Sequence, residues 1–400
     1  MKTNKSGNIL KTINLRKLAK PAVLFISALF IISMLSVFAS NGVQAASTPA
    51  LHISGTQILT SSGAVVTLRG VDYSWFIEDP NGDWLLPSGT IEWNTWDTTA
   101  INSNLAALQS WSVNCIRVLA TSQYWIDNTD NYQNNIEYFI STAATYGIYV
   151  DLVFWCNSAA QASASTPPSL PYPPYDTSGT FSSSTDFVNF WTSVANTLKG
   201  YPNVMFELWN EPNGDSTAEA SWMSVTQQAI TAIRGTGATN IIVAQWNYNV
   251  GIDFQNYLGG SIWNLNWVNQ YPLSDPQNNI LYSTHIYRNV FYNDGNSSDG
   301  YAYSYNDMKW ALTQVGVIGF NKALWIGEIG CNLWASNMDN EYAWFNNTLT
   351  ILNENGIGFD AWAWAPWTTG TEWGLVTGQS NSNYAPNQAG QIFEQQISES

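Results

Sequence analysis

The sequence predicts an α/β fold, a (β/α)8 TIM barrel with a short N-terminal β-hairpin, on three observations. Eight apolar, β-branched runs follow one another: "AVVTLRGVDY", "VNCIRVLA", "GIYVDLVFW", "NVMFELWNE", "NIIVAQWN", "NILYSTHIY", "ALWIGEIG" and "GIGFDAWAW". Stretches with helical spacing lie between most of them, as a parallel barrel requires. Carboxylates, one arginine, one histidine and several aromatics stand where the runs end, the edge at which such barrels keep their active sites.

Each element has a local reason. The leading "LHISGTQILTSSGAVVTL" reads as a hairpin with Gly63 in its turn, placed to plug the barrel bottom. The clearest helix is "DSTAEASWMSVTQQAITAIRG", with Ser216 and Glu219 as a capping box and Gly235 as its stop. Further helices are expected at "IEYFISTAATYG", "FVNFWTSVANTLKGY" and "EYAWFNNTLTILNENG". Without a Ser- or Thr-rich linker to divide it, the chain reads as one domain over residues 47–400.

Residues 1–46 read differently. A basic segment precedes an 18-residue apolar stretch, Ala22 to Ala39, and the small-residue site Val43-Gln44-Ala45 follows. This is the pattern of a secretory signal peptide cut near Ala45 or Ala46, or of an uncleaved N-terminal anchor. Either way the domain is expected outside the cell.

Charge restricts the partners. Residues 47–400 hold seven Lys and Arg against 29 Asp and Glu, a formal charge of −22. So acidic a surface repels polyphosphates, which argues against nucleic acid and anionic membranes and favours a large neutral ligand. No protein partner is implied. Two histidines, His52 and His285, exclude a multi-histidine metal site, and no phosphate loop or dinucleotide fingerprint appears. Neither metal nor cofactor is therefore expected. Cys115, Cys156 and Cys331 are three buried thiols, or one bridge and one thiol.

At the strand ends the reading places Arg117 on the second strand, Asn210 and Glu211 on the fourth, and His285 and Tyr287 on the sixth. Glu328 ends the seventh strand, and Trp362 and Trp364 lie on the eighth. Two carboxylates across a barrel mouth are the equipment for glycoside hydrolysis, one donating a proton and the other attacking the sugar or activating water. Their pKa values must then differ, with Arg117 placed to hold Glu328 ionised while Glu211 keeps a proton. Glu207 shares a strand face with Glu211 but lies deeper, where it must be paired or neutral. Arg69 is the expected partner. Asn210 and Glu211 are adjacent, so both face the substrate only if the strand end bends or bulges.

The segments "LRGVDYS", "VNCIRV", "FELWNEPNG", "HIY" and "WIGEIG" resemble, in order, the signature segments of glycoside hydrolase family 5, from about Leu51 to the C-terminus. That resemblance implies a retaining double displacement, with Glu211 as acid/base and Glu328 as nucleophile. It also implies that Asn210 contacts the sugar 2-hydroxyl and that Arg117 and Tyr287 orient Glu328. His285 would sit near Glu211, and Trp362 would floor the reacting subsite. Two departures from the family pattern stand out. Trp155 occupies about the place of a common histidine, and Asp72 stands where asparagine is common.

Sugar rings pack on indole faces, and the chain has 21 tryptophans. Trp75, Trp155, Trp246, Trp334 and Trp364 are candidate subsite aromatics, with Trp84, Trp93, Trp96, Trp263, Trp267 and Trp367 in the same segments. The long segment after the third strand, rich in Pro, Ser and Tyr, suits the wall of an open cleft. The expected activity is a secreted endo-β-1,4-glucanase acting on cellulose or another β-linked polysaccharide. An endo-β-1,4-mannanase and a non-catalytic sugar-binding barrel are the rivals. Asn296 and Asn346 are glycosylation sequons.

Overall fold

The structure is a computed structural model that describes residues 48–73, 98–155, 181, 183–212, 216–245, 265, 267–287, 304–335, 337–364, 373–376 and 384–398. Three short strands, β1 (Leu51–Ser54), β2 (Gln57–Thr60) and β3 (Val65–Val66), form an antiparallel sheet. Its turns need positive φ, which Gly55 (+63°) and Gly63 (+86°) supply without steric cost. The expected hairpin is thus a three-stranded sheet. The first apolar run serves two structures: Val65 and Val66 end the sheet, and the barrel starts at Arg69.

Eight parallel strands close the barrel in chain order: β4 (Arg69–Tyr73), β5 (Cys115–Thr121), β6 (Tyr149–Trp155), β7 (Val204–Glu207), β8 (Ile242–Gln245), β9 (Ile280–Tyr287), β10 (Leu324–Gly330) and β11 (Gly358–Trp362). β11 returns to β4 through the pairs Phe359–Arg69 and Asp360–Gly70. Each of the eight expected runs coincides with one of these strands, β5 running one residue past its run. Parallel strands are covered on both faces, which is why they read as near-continuous apolar runs.

Helices occupy the connections: α1 (Thr98–Ser110), α2 (Ser122–Asp127), α3 (Tyr132–Thr145), α4 (Ser184–Leu198), α5 (Ser216–Gly235), α6 (Trp267–Gln270), α7 (Tyr305–Gln314), α8 (Met338–Glu354) and α9 (Gln388–Ser398). Ser183 and Ser304 start α4 and α7 by accepting from the N–H of Asp186 and Asp307, each at 3.2 Å. The side chain of Ser216 lies outside the described residues, and with it the capping box expected on α5. In α8 the Asn346 carbonyl accepts from Gln396 Nε2 at 2.9 Å, so that sequon is engaged in packing against α9. Asn296 lies outside the described residues.

Alternation along the strands divides the core. Outward residues such as Val71, Ile116, Val118, Val150, Leu152 and Phe206 pack against the helices. The opposite face carries a separate cluster: Cys115, Tyr149, Met205, Val243, Leu281 and Trp325, sealed by Leu51 and Ile58 from the small sheet. Two residues further along these strands stand Arg117, Asp151, Glu207, Gln245, Ser283 and Gly327. A period of two keeps them on the same inward face, one layer higher. Polar chemistry begins there.

Candidate active site

Arg117 is the hub of the upper layer. It is completely buried, and a guanidinium has five N–H donors that must be satisfied. Nε and Nη2 donate to the two oxygens of Glu207 at 2.7 and 2.9 Å. Nη1 donates to Asp72 at 2.9 Å and to Glu328 at 2.6 Å. The second Nη2 proton goes to Asn210 Oδ1 at 2.7 Å. Asp151 adds a longer contact to Nε at 3.8 Å. Four strands besides β5 and the β7 extension therefore converge on one cation.

This corrects the expected partner of Glu207. Arg69 opens β4 at the barrel bottom, and its Nε donates instead to Asn353 on α8 at 2.9 Å. Arg117 lies within the barrel and reaches the buried carboxylate directly. Glu207 is held below the usual carboxylate range by Arg117, which outweighs the opposing effect of burial.

The β4, β6 and β11 acids behave differently. Burial pushes Asp72, Asp151 and Asp360 well above the carboxylate range, because Arg117 only partly offsets desolvation. Asp72 Oδ2 lacks a hydrogen-bond partner among the described residues. One oxygen of Asp72 accepts from Arg117, as an asparagine carbonyl would in that place. Arg117 and His285 face Glu207 and Glu328, whose pKa values are lowered.

Glu328 reaches the site through a bulge. Trp325 faces the lower core and Gly327 faces His285 and Ser283, so strict alternation would turn Glu328 outward. The β9 register slips between Ile326 and Glu328 and sets Glu328 opposite His285. A bulge of one residue restores the inward direction. A β-carbon on Gly327 would lie 2.7 Å from Ser283 Oγ, so the crowded position favours glycine.

Once inside, Glu328 accepts from Arg117 and from the Tyr287 hydroxyl, the latter at 2.6 Å. His285 Nδ1 lies 3.3 Å from it. Burial opposes ionisation, but His285 and Arg117 overcome it and bring Glu328 to about 2. Tyr287 stays protonated because burial and the Glu328 charge push it far up. Trp373 packs edge-on against Tyr287 with centroids 5.2 Å apart. Nothing in the chain's periodicity singled out Trp373.

Glu211 sits past the end of β7. Its φ is +48°, a conformation that costs a residue with a β-carbon about 1–2 kcal/mol. The turn is the expected bend, and it lets Asn210 and Glu211 face the same cavity. Asn210 N–H donates to Phe154 O on β6 at 3.3 Å, while Glu211 N–H donates to Gln245 Oε1 on β8 at 2.8 Å. The Glu211 carboxylate meets His285 Nδ1 at 2.7 Å. Burial raises the Glu211 pKa, His285 opposes this, and Glu328 adds to the rise. His285 itself is raised to about 9: burial lowers it, but Glu328 and Glu211 outweigh that.

The structure thus brings Arg117, Asn210, Glu211, His285, Tyr287 and Glu328 together. One oxygen of Glu211 and one of Glu328 lie within 4.8 Å of each other. Trp362, half-buried, ends β11 beside the same opening. Trp364 does not join them. It is fully buried, donates Nε1–H to Asn104 Oδ1 at 2.8 Å, and packs between Trp111 and Tyr384. The chain turns after β11, so this indole belongs to the helix layer and not to a subsite. Trp267 is likewise core, packed on Tyr282.

Trp334 is 67% exposed after β10 and remains available for ligand stacking. Trp75, Trp246, the Trp155 side chain, Trp84, Trp93, Trp96, Trp263, Trp367 and the long segment after β6 lie outside the described residues. Gln245, Asp151 and Asp360 were missed by the sequence reading. Their signal was an amide or acid inside or at the end of a strand, on the inward face.

Two carboxylates within 4.8 Å whose pKa values are driven in opposite directions, flanked by a buried cation, define the class: a glycoside hydrolase built on a (β/α)8 barrel. The family model Cellulase (glycosyl hydrolase family 5) matches residues 78–367, and the chain belongs to that family. A mannan endo-1,4-beta-mannosidase of Cellvibrio japonicus is 25% identical over 199 residues, 48% of this chain and 40% of that protein. Endoglucanase 3 of Humicola insolens is 29% identical over 194 residues, covering 47% and 44%. The chain thus spans less than half the length of these curated relatives. Among solved structures, the catalytic domain of the major endoglucanase of Xanthomonas campestris superposes with a TM-score of 0.63 at 19% identity, covering 87% of this chain and 100% of that one. A β-glucanase of Saccharophagus degradans, solved with cellotetraose, gives 0.61 at 16% identity, covering 88% and 94%. These likenesses show the same fold.

Proposed function

We propose that this protein is a secreted, retaining endo-β-1,4-glucanase. One observation carries the mechanism: Glu211 and Glu328 approach within 4.8 Å while their surroundings drive their pKa values apart. Retaining enzymes hold their carboxyl groups about 5–5.5 Å apart, whereas inverting ones need room for a water between them. Glu328, ionised and aligned by Arg117 and Tyr287, attacks the anomeric carbon. Glu211 gives its proton to the leaving oxygen, and the glycosyl–Glu328 ester forms. Glu211, now ionised, takes a proton from water as that water attacks the ester, which returns both groups to their starting state.

Asn210 supports the same reading. Its Oδ1 is fixed by Arg117, while Nδ2 has no partner among the described residues. That leaves a donor for the sugar 2-hydroxyl, a contact that strengthens in the transition state. The substrate class rests on the relatives. One is named an endoglucanase, another a mannan endo-1,4-beta-mannosidase, and a third a beta-mannanase/endoglucanase A. β-1,4-Mannan is therefore the second reading. The basic and apolar residues before Ala46 support export.

Residues 47–400 would be assayed on soluble β-1,4-glucan and β-mannan, following reducing ends and viscosity together with Glu328→Gln as the blank. A rapid viscosity drop on glucan, absent in the blank, is expected. Activity on mannan alone would move the substrate and keep the mechanism. Sugar binding without turnover on either would replace the enzyme with a binding barrel. N-terminal sequencing of the protein exported by a secreting host would report whether the first 46 residues are removed.

A further inference from the structure

The acid/base assigned above sits on a backbone that a strand cannot hold. β7 stops at Glu207, and its ladder to β8 ends with Leu208 N–H donating to Val243 O at 3.2 Å. Glu211 then adopts φ +48° with its N–H buried. Phe206 and Leu208 donate to Ile241 and Val243, so in a continuing parallel ladder the backbone carbonyl of Gln245 would accept from Asn210. That carbonyl is already taken by Trp222 Nε1–H from α5, at 2.9 Å. On the other side, β6 is engaged by Asn210 through Phe154 O. The turn takes the Glu211 N–H out of both ladders, and a buried amide needs an acceptor. The side chain of Gln245 fills the role, its Oε1 lying 2.8 Å away.

We propose that Gln245 is a positioning residue for the acid/base: its side-chain carbonyl fixes the left-handed turn that aims the Glu211 carboxyl at the leaving oxygen. The proposal rests on the reading of Glu211 as acid/base. Its geometry is specific. Gln245 is 2% exposed and ends β8, so the side chain has one direction in which to reach. Because the partner is a donor, Oε1 must face Glu211 and Nε2 must turn away. Nε2 has no partner among the described residues, so the amide is oriented by Glu211 alone among them. A carboxylate at this position would bring another negative charge towards Glu211 and Glu328. The amide supplies an acceptor without one.

A positioning role predicts a leaving-group signature. Gln245→Met keeps the length and removes the acceptor; Gln245→Asn keeps the amide but shortens the reach by one methylene. Both are compared with wild type and Glu211→Ala on β-1,4-glucan and on a 2,4-dinitrophenyl β-cellobioside, whose leaving group needs no proton. General acid catalysis contributes about 10²- to 10⁴-fold, so a misaimed acid should lose about 10- to 100-fold in kcat/KM on glucan. On the dinitrophenyl substrate the loss should stay under about 3-fold. Gln245→Glu, which retains a carbonyl acceptor, should recover most of the glucan activity at a pH low enough to keep it neutral.

Equal losses on both substrates, or no loss on either, would overturn the role of Gln245. If Glu211→Ala itself shows no leaving-group dependence, the acid/base reading falls, and the proposal with it. A clear dependence for Glu211→Ala with none for either Gln245 variant would remove this proposal alone.

Discussion

The interior of the barrel has two storeys built from the same strands. Below, Cys115, Met205, Val243, Leu281 and Trp325 form a dry cluster sealed by the small sheet. Two residues higher on those strands, Arg117, Glu207, Gln245, Ser283 and Gly327 begin the polar layer that holds Glu211 and Glu328. The difference lies in how each storey meets the cost of burial. The lower one gains from removing apolar surface from water. The upper one must match every buried charge, and Arg117 with His285 does so for Glu207 and Glu328, while burial pushes Asp72, Asp151 and Asp360 well above the carboxylate range. Stability and chemistry are thereby separated by about two residues of strand.

The two storeys should respond differently to damage. Glu328→Ala should lower kcat by on the order of 10⁴-fold or more, since no nucleophile remains. Residual turnover near the wild-type rate would sink the assignment. Arg117→Met strikes stability and chemistry together within the upper storey, because it leaves Glu207 and Glu328 buried without their cation. A loss of about 3–5 kcal/mol in denaturant unfolding is expected, together with loss of turnover. Leu281→Ala should cost about 2–5 kcal/mol yet keep kcat near wild type under conditions where the variant is folded. A large fall in kcat for that folded variant would show that the lower storey is not merely scaffolding.

The finest test is pH. Glu328 is depressed to about 2, so its contribution is present above about 4.5 and lost as pH falls towards 2. His285 is raised to about 9, so its contribution is complete below about 6.5 and lost as pH climbs to 9. Asp360 has the opposite sense to Glu328. Its raised pKa means that the unfolded chain releases a proton the folded one keeps, so it weakens folding as pH rises above about 3.8. Asp360→Asn removes that linkage. The variant should match wild type near pH 4 and gain on it as pH rises, by at most about 1.4 kcal/mol per pH unit. A difference that does not change with pH would mean Asp360 is ionised in the fold.

Much of this was legible in the chain. The eight runs gave the barrel, and the order of Arg117, Asn210–Glu211, His285, Tyr287 and Glu328 along them gave the site, because strand polarity sends every C-terminal end to one rim. Side-chain alternation even required the bend at Asn210–Glu211. It could not locate the bulge at Gly327, since an extra residue in a ladder is defined by the neighbouring strand. Nor could it show that Glu207 would meet Arg117 in place of Arg69, or that Trp364 would face Asn104 and Trp111.

The sequence by itself determined the element order, the storey of each inward residue and the set of reactive groups, all properties of spacing along one strand. Tertiary structure decided which of six acids are pushed up and which are held down, and which tryptophans meet solvent. It also decided that Gln245, an amide with no chemistry of its own, lies against the backbone of Glu211. Those outcomes depend on distances across the barrel, and closure of eight strands around a single arginine sets them.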